Sequence, residues 1–180
     1  MFKINRNSHL IEGITYLPSD NYDSRPDNTS IDTIIIHCIS LPAGVYDNDN
    51  VSNLFTNNLD ISEDKSFVSL KDLKVSAHLF IKRDGKIIQF VPLNLRAWHA
   101  GISKYKGREN FNDFSIGIEL EGTSNSSFTE EQYNKLKEII KTTKTFYPEI
   151  VDDNIIGHNK VSPERKEDPG KFFEWDKIKG

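Results

Sequence analysis

Phe114-Ser-Ile-Gly-Ile-Glu-Leu-Glu121 alternates without a break. In an extended chain Phe114, Ile116, Ile118 and Leu120 share one face, and Ser115, Gly117, Glu119 and Glu121 share the other. The segment therefore reads as a strand that buries its apolar side and projects two carboxylates from the opposite side. Downstream, Thr129-Glu-Glu-Gln132 has the form of a capping box, and Tyr133, Leu136, Ile139, Ile140, Thr143, Phe146 and Tyr147 follow at intervals of three and four. The spacing predicts a helix from Thr129 to Tyr147, ended by Pro148. Its apolar stripe needs a large partner, and a sheet is the one available.

Upstream, the β-branched run Ile31-Asp-Thr-Ile-Ile-Ile-His37 lies between Asn28-Thr-Ser and Leu41-Pro-Ala-Gly, which predicts a buried strand. Residues 77–82 and 86–91 flank Asp84-Gly85, a pair suited to a hairpin turn, so these two strands are expected to be antiparallel neighbours. A shorter helix is expected around Asn50 to Asn58 and a turn at Phe172 to Ile178. The stretches Tyr46 to Asn50 and Ile61 to Lys74 read as loops within the domain. Strands interleaved with helices make an α/β fold, a mixed sheet flanked by helices in a single domain spanning residues 1–180.

Composition narrows the function. The chain has 180 residues, 36% hydrophobic and 28% charged, with a formal net charge of -4 and no long run of one sign. Electrostatic capture of nucleic acid is a poor fit to an acidic protein. No segment approaches the roughly 20 apolar residues that span a bilayer. The first 20 residues lack the apolar core of a secretory signal, so the expected location is the cytoplasm. The single cysteine, Cys38, excludes an intrachain disulfide and a Cys-rich metal site.

His37 closes the most hydrophobic strand. It reads either as a hydrogen-bonded core histidine or as a group held rigidly at a strand end for chemistry. The Gly- and Pro-punctuated segment from Gly157 to Gly170 contains His158, Lys166 and Asp168. Such a loop can bring His158 and Asp168 to one point, and a third ligand from a strand would complete a catalytic zinc set with its fourth position open to water. Glu119 and Glu121 suggest instead a glycosidase pair, although carboxylates two apart on one strand do not flank a scissile bond from opposite sides. A solvated strand face is the plainest reading of both. Cys38, next to His37, points to the other face if the strand continues through it, and is expected to be structural. Trp98 reads either as an exposed indole that stacks on a sugar ring or as a buried core aromatic, and a nearby His or Arg, His99 or Arg108, can bind a carboxylate.

Taken together, Ile34-Ile-Ile-His37, Ser76-Ala-His78, Ile87-Ile-Gln-Phe-Val-Pro92, Arg96-Ala-Trp-His-Ala-Gly101, Asn112-Asp-Phe-Ser-Ile-Gly-Ile-Glu-Leu-Glu-Gly122, Gly157-His158 and Arg165-Lys-Glu-Asp-Pro-Gly170 resemble the zinc-dependent N-acetylmuramoyl-L-alanine amidases, in particular the AmpD type that acts on 1,6-anhydro-muropeptides. The match runs in order from about Tyr22 to Asp176. The resemblance implies Zn²⁺ held by His37, His158 and Asp168, water activated by Glu119, and an oxyanion stabilised by Lys166. It implies cleavage between the lactyl group of muramic acid and L-Ala. Trp98 and Arg108 become candidates for holding a small muropeptide, the implied partner. A carboxylate glycosidase and a non-catalytic peptidoglycan-binding module are the alternatives. The chain departs from the pattern at Cys38, where Asn is frequent, and along Tyr46 to Asn50, and it meets the expected basic positions of the peptide-binding wall only in part, with Lys74 and Asn110 at two of them and Arg108 nearby.

Overall fold

The structure, a computed structural model, describes residues 2–178. Its elements run in chain order as β1 (Thr15–Tyr16), β2 (Tyr22–Asp23), β3 (Thr33–Ile39), α1 (Asn50–Phe55), β4 (Leu79–Ile81), β5 (Ile87–Gln89), β6 (Arg96–Ala97), β7 (Lys104–Tyr105), β8 (Arg108–Glu109), β9 (Ser115–Glu121), α2 (Glu130–Phe146), β10 (Ile155–Gly157) and α3 (His158–Val161). Six strands form one sheet in the order β1-β5-β4-β9-β3-β10. Only β4 and β5 run antiparallel, as the Asp84-Gly85 turn requires, and the other neighbours in that sheet are parallel. The expected α/β fold with a mixed sheet is the one observed.

The strands are narrower or displaced relative to the sequence reading. The hairpin pairs only Leu79–Ile81 with Ile87–Gln89. Of its two turn residues Gly85 alone has positive φ, at 84°, while the Asp84 carboxylate accepts the Lys86 N–H. Phe114 does not share the face of Ile116. A 3-10 turn at Phe111–Asp113 precedes β9, and Phe114 packs with Ile35, Ala100, Phe111 and Val161 on the other side of the sheet. Another 3-10 turn, Lys65–Leu70, lies within the expected loop at 61–74. The C-terminal turn contracts to Trp175–Lys177.

Helix α2 follows its expected course. Thr129 accepts the Gln132 N–H and the Gln132 side chain accepts the Thr129 N–H, completing the capping box. The Gln132 amide also donates to the Ile81 and Glu121 carbonyls, pinning the start of the helix to the ends of β4 and β9. Tyr133, Leu136, Ile139 and Ile140 then bury against Ile34, Ile36, Ile116, Ile118 and Leu120. Each such aliphatic side chain contributes about 1.5–3 kcal/mol of burial free energy. With that face sealed by a helix, the opposite face and the carboxyl ends of the parallel strands remain for loops and chemistry.

Candidate metal centre and active site

Register brings the first two polar groups together. In the parallel pairing of β3 with β9, His37 stands beside Glu119. In the pairing of β10 with β3, Gly157 stands beside Ile36, so His158 emerges next to His37 at the carboxyl ends of both strands. Gly157 is compelled to be glycine: a Cβ there would lie 2.6 Å from Asn159 Oδ1 and 2.7 Å from Pro169 Cδ. The following loop returns Asp168 to the same point, fastened by the Asn159 N–H to the Asp168 carbonyl at 2.9 Å.

His37 Nδ1, His158 Nδ1 and Asp168 Oδ2 form a small triangle, 2.9 Å between the nitrogens and 3.1 Å from each nitrogen to the oxygen. Burial brings the His37 pKa down to about 4, so its imidazole is neutral. His158 Nε2 faces the Ala100 carbonyl oxygen at 3.1 Å. That oxygen can only accept, so the ring proton sits on Nε2 and Nδ1 offers a lone pair. A lone pair that faces a carboxylate oxygen and a second imidazole nitrogen at such distances is a donor set that a cation satisfies and a proton network does not. The three residues fit a metal ion.

Glu119 is buried beside this triangle. Its Oε2 has no hydrogen-bond partner, and burial, reinforced by the negative Asp168 and opposed by Lys166, raises its pKa well above the ordinary carboxylate range. The sequence-level reading of a solvated strand face fails for both glutamates. Glu121 is buried too, with its two oxygens taken by the N–H groups of Asp47 and Arg83, each at 3.0 Å. Glu121 thus fastens a loop and a hairpin, which leaves Glu119 without a partner for glycosidase chemistry.

A cavity of about 220 Å³ opens over the centre. His37, Glu119, His158, Lys166 and Asp168 line its polar floor, and Leu41, Leu54, Leu70, Val75 and Trp98 are among its apolar walls. Arg108 is not brought there. Its guanidinium makes a two-point bond to Asp32, at 2.9 and 3.2 Å, and covers the Phe114 ring at 3.6 Å. Asp32 immediately precedes β3, at the end of that strand remote from His37, so the carboxylate that Arg108 binds is the protein's own. Cys38 behaves as expected: β3 continues to Ile39, the sulfur faces the Pro169 carbonyl at 3.7 Å, and burial followed by the charges of Glu119 and Asp168 keeps the thiol protonated.

His99 and His78 are the site residues whose part the sequence reading missed. His99 Nδ1 lies 2.9 Å from His37 Nε2, and His78 accepts the Gly117 N–H at 3.0 Å. The available signal was Gly117, an isolated glycine inside an alternating strand, which marks a close approach by another group. A Cβ at Gly117 would lie 2.4 Å from the His99 ring.

Comparison with known proteins agrees with this geometry. The family described as N-acetylmuramoyl-L-alanine amidase matches residues 27–171. The 1,6-anhydro-N-acetylmuramyl-L-alanine amidase AmpD of Salmonella typhimurium (strain SL1344) is 45% identical over 163 residues, covering 91% of this chain and 87% of that protein. A crystal structure of a selenomethionine AmpD derivative superimposes with a TM-score of 0.92 at 43% identity, covering 96% of each chain. The amidase AmiD of Escherichia coli, solved as a complex with the substrate anhydro-N-acetylmuramic acid-L-Ala-D-gamma-Glu-L-Lys, gives a TM-score of 0.60 at 28% identity, covering 86% of this chain and 59% of that one. A parallel strand pair, a convergent His-His-Asp set and these likenesses together show that the chain belongs to the N-acetylmuramoyl-L-alanine amidase family.

Proposed function

We propose that the protein, acting as one domain over residues 1–180, hydrolyses the amide bond between the lactyl group of 1,6-anhydro-N-acetylmuramic acid and the L-Ala of its stem peptide, in cytoplasmic recycling of peptidoglycan. The observation that carries this reading is the convergence of His37 Nδ1, His158 Nδ1 and Asp168 Oδ2 beside an unpartnered, buried Glu119. The three ligands would hold Zn²⁺. When bound, the ion supplies Lewis acidity, making water acidic enough to yield a nucleophile near neutral pH and polarising a carbonyl oxygen.

Glu119 takes the proton of the attacking water. Burial raises the proton affinity of its carboxylate, which makes it a stronger base than an exposed glutamate and lets it hold the proton for the departing nitrogen. Protonation of that nitrogen is required because an amide anion is too basic to leave. Lys166, on the cavity floor, offers its ammonium to the oxyanion that develops as the carbonyl is attacked. Trp98 presents an apolar ring for the face of the anhydro-sugar. The likeness to AmiD, whose complex contains an anhydro-muramyl peptide, supports the choice of substrate. A pure binding module has no use for Glu119, and this chain retains it together with all three ligands.

Mass spectrometry of purified anhydro-muropeptide after incubation, with and without a zinc chelator, tests the proposal. Release of a free peptide headed by L-Ala, abolished by the chelator, is expected. Cleavage at a sugar linkage, or hydrolysis indifferent to the chelator, overturns it.

A further inference from the structure

Both imidazoles of the candidate metal centre direct their outer nitrogen at one short stretch of chain. His37 Nε2 lies 2.9 Å from His99 Nδ1, and His158 Nε2 lies 3.1 Å from the carbonyl oxygen of the next residue, Ala100. We propose that the His99–Ala100 segment is a built scaffold that sets the tautomer and aim of both metal-binding histidines, with His99 as the positioning residue for His37.

The direction of the hydrogen bonds follows from a terminal acceptor. Ser115 Oγ donates its one proton to the Phe111 carbonyl at 2.5 Å, so toward His99 Nε2, 3.3 Å away, it can only accept. The His99 proton is therefore on Nε2 and its Nδ1 accepts from His37 Nε2. That leaves a lone pair on His37 Nδ1, facing Asp168 and His158. The Ala100 carbonyl imposes the same tautomer on His158 without an intermediary. A ring with its proton on Nδ1 would present an N–H to a cation and could not ligate it.

The scaffold is held on several sides. Asn112 Oδ1 accepts two successive N–H groups, His99 at 3.1 Å and Ala100 at 2.7 Å. Arg165 donates to the Ala100 carbonyl at 2.9 Å, and Ser76 Oγ accepts the Trp98 N–H at 3.1 Å. Gly117 supplies the remaining constraint, a bare patch of β9 on which the His99 ring rests. Ligand-orienting partners of this kind typically change metal affinity or activity by about 10- to 100-fold when removed.

The inference rests on the reading of His37, His158 and Asp168 as a metal centre, so its test uses zinc itself as the probe. The metal-stripped full chain is titrated with zinc against a chromophoric chelator. His99→Phe keeps a planar ring on Gly117 but accepts no hydrogen bond, and is expected to weaken zinc binding about 10- to 100-fold; His99→Asn keeps an acceptor near the Nδ1 position and is expected to stay within about threefold of wild type. Wild-type affinity in His99→Phe overturns the proposal. So does an equal loss in both variants, which would assign the effect to ring packing. Should His99→Phe not fold, Ser115→Ala removes the terminal acceptor and is expected to weaken zinc about 3- to 10-fold; unchanged affinity there also overturns it. A wild-type chain that takes up no zinc fails at the earlier reading and is thereby distinguished.

Discussion

The two faces of the β3–β9 pair are equally deep and differently specified. On one, Ile34, Ile36, Ile116, Ile118 and Leu120 meet helix α2; on the other, His37 and Glu119 are as little as 1% and 9% exposed. Depth does not separate them. Apolar contacts are non-directional, so any set of side chains with the right volume seals the helix face. Each buried nitrogen or oxygen on the polar face needs a partner at a defined distance and with its proton on the correct atom. Ser115, His99 and His37 meet that demand in series, and Glu119 is left open where chemistry needs a free carboxyl.

Substitutions can push this contrast until it fails. The largest effects belong to the polar face. Asp168→Ala should lose zinc, whereas Glu119→Ala should keep zinc and lose turnover by about 100- to 10,000-fold, as expected for removal of a positioned proton acceptor; metal content and turnover are measured on the same preparations. An Asp168→Ala protein that keeps its zinc and its rate would refute the division of roles. On the helix face Leu136→Ala should cost about 2–5 kcal/mol in urea unfolding with activity per folded molecule unchanged. A comparable loss of turnover there would mean that the faces are not independent.

Protonation tests the polar face more finely. His78 accepts the Gly117 N–H and donates to the Leu95 carbonyl, and burial, aided by the nearby Arg25, lowers its pKa to about 3. Above pH 6.5 the group is neutral in folded and unfolded chains alike and contributes nothing. As pH falls from 6.5 toward 3, the unfolded chain binds a proton that the folded one refuses, so stability declines by about 1.4 kcal/mol per unit from this group. His78→Gln should flatten the dependence of unfolding free energy on pH between about 6 and 4 by nearly that slope, and an unaltered slope would count against a neutral buried His78. The smallest effect is expected at the helix start, where Thr129→Ala should cost about 1 kcal/mol in the same unfolding assay, without altering turnover.

The fold was largely legible in the sequence because its central elements carry local periodicity. The alternation around β9 and the three-and-four spacing after Thr129 announce themselves within a few residues. The order of strands does not, since pairing between residues near 35 and near 117 leaves no local trace. Phe114 shows the same limit on a smaller scale: the alternation includes it, and a 3-10 turn rotates it to the other side. At the site, the type and position of His37, Glu119, His158, Lys166 and Asp168 were readable through a resemblance of motifs. The occupation of Glu121 and Arg108 by internal partners was not, because Asp47, Arg83 and Asp32 come from other parts of the chain.

The parallel pairing of β3 with both β9 and β10 also sets a timetable. Parallel neighbours require crossovers, and here residues 33–39 meet residues 115–121 and 155–157, so closing them costs loop entropy before any contact repays it. His37 is made 131 residues before Asp168 and waits for it. A chain that stops short of Asp168 lacks one of the three donors, so the geometry that fits a cation is complete only when β3, β10 and the loop after it have come together in one fold.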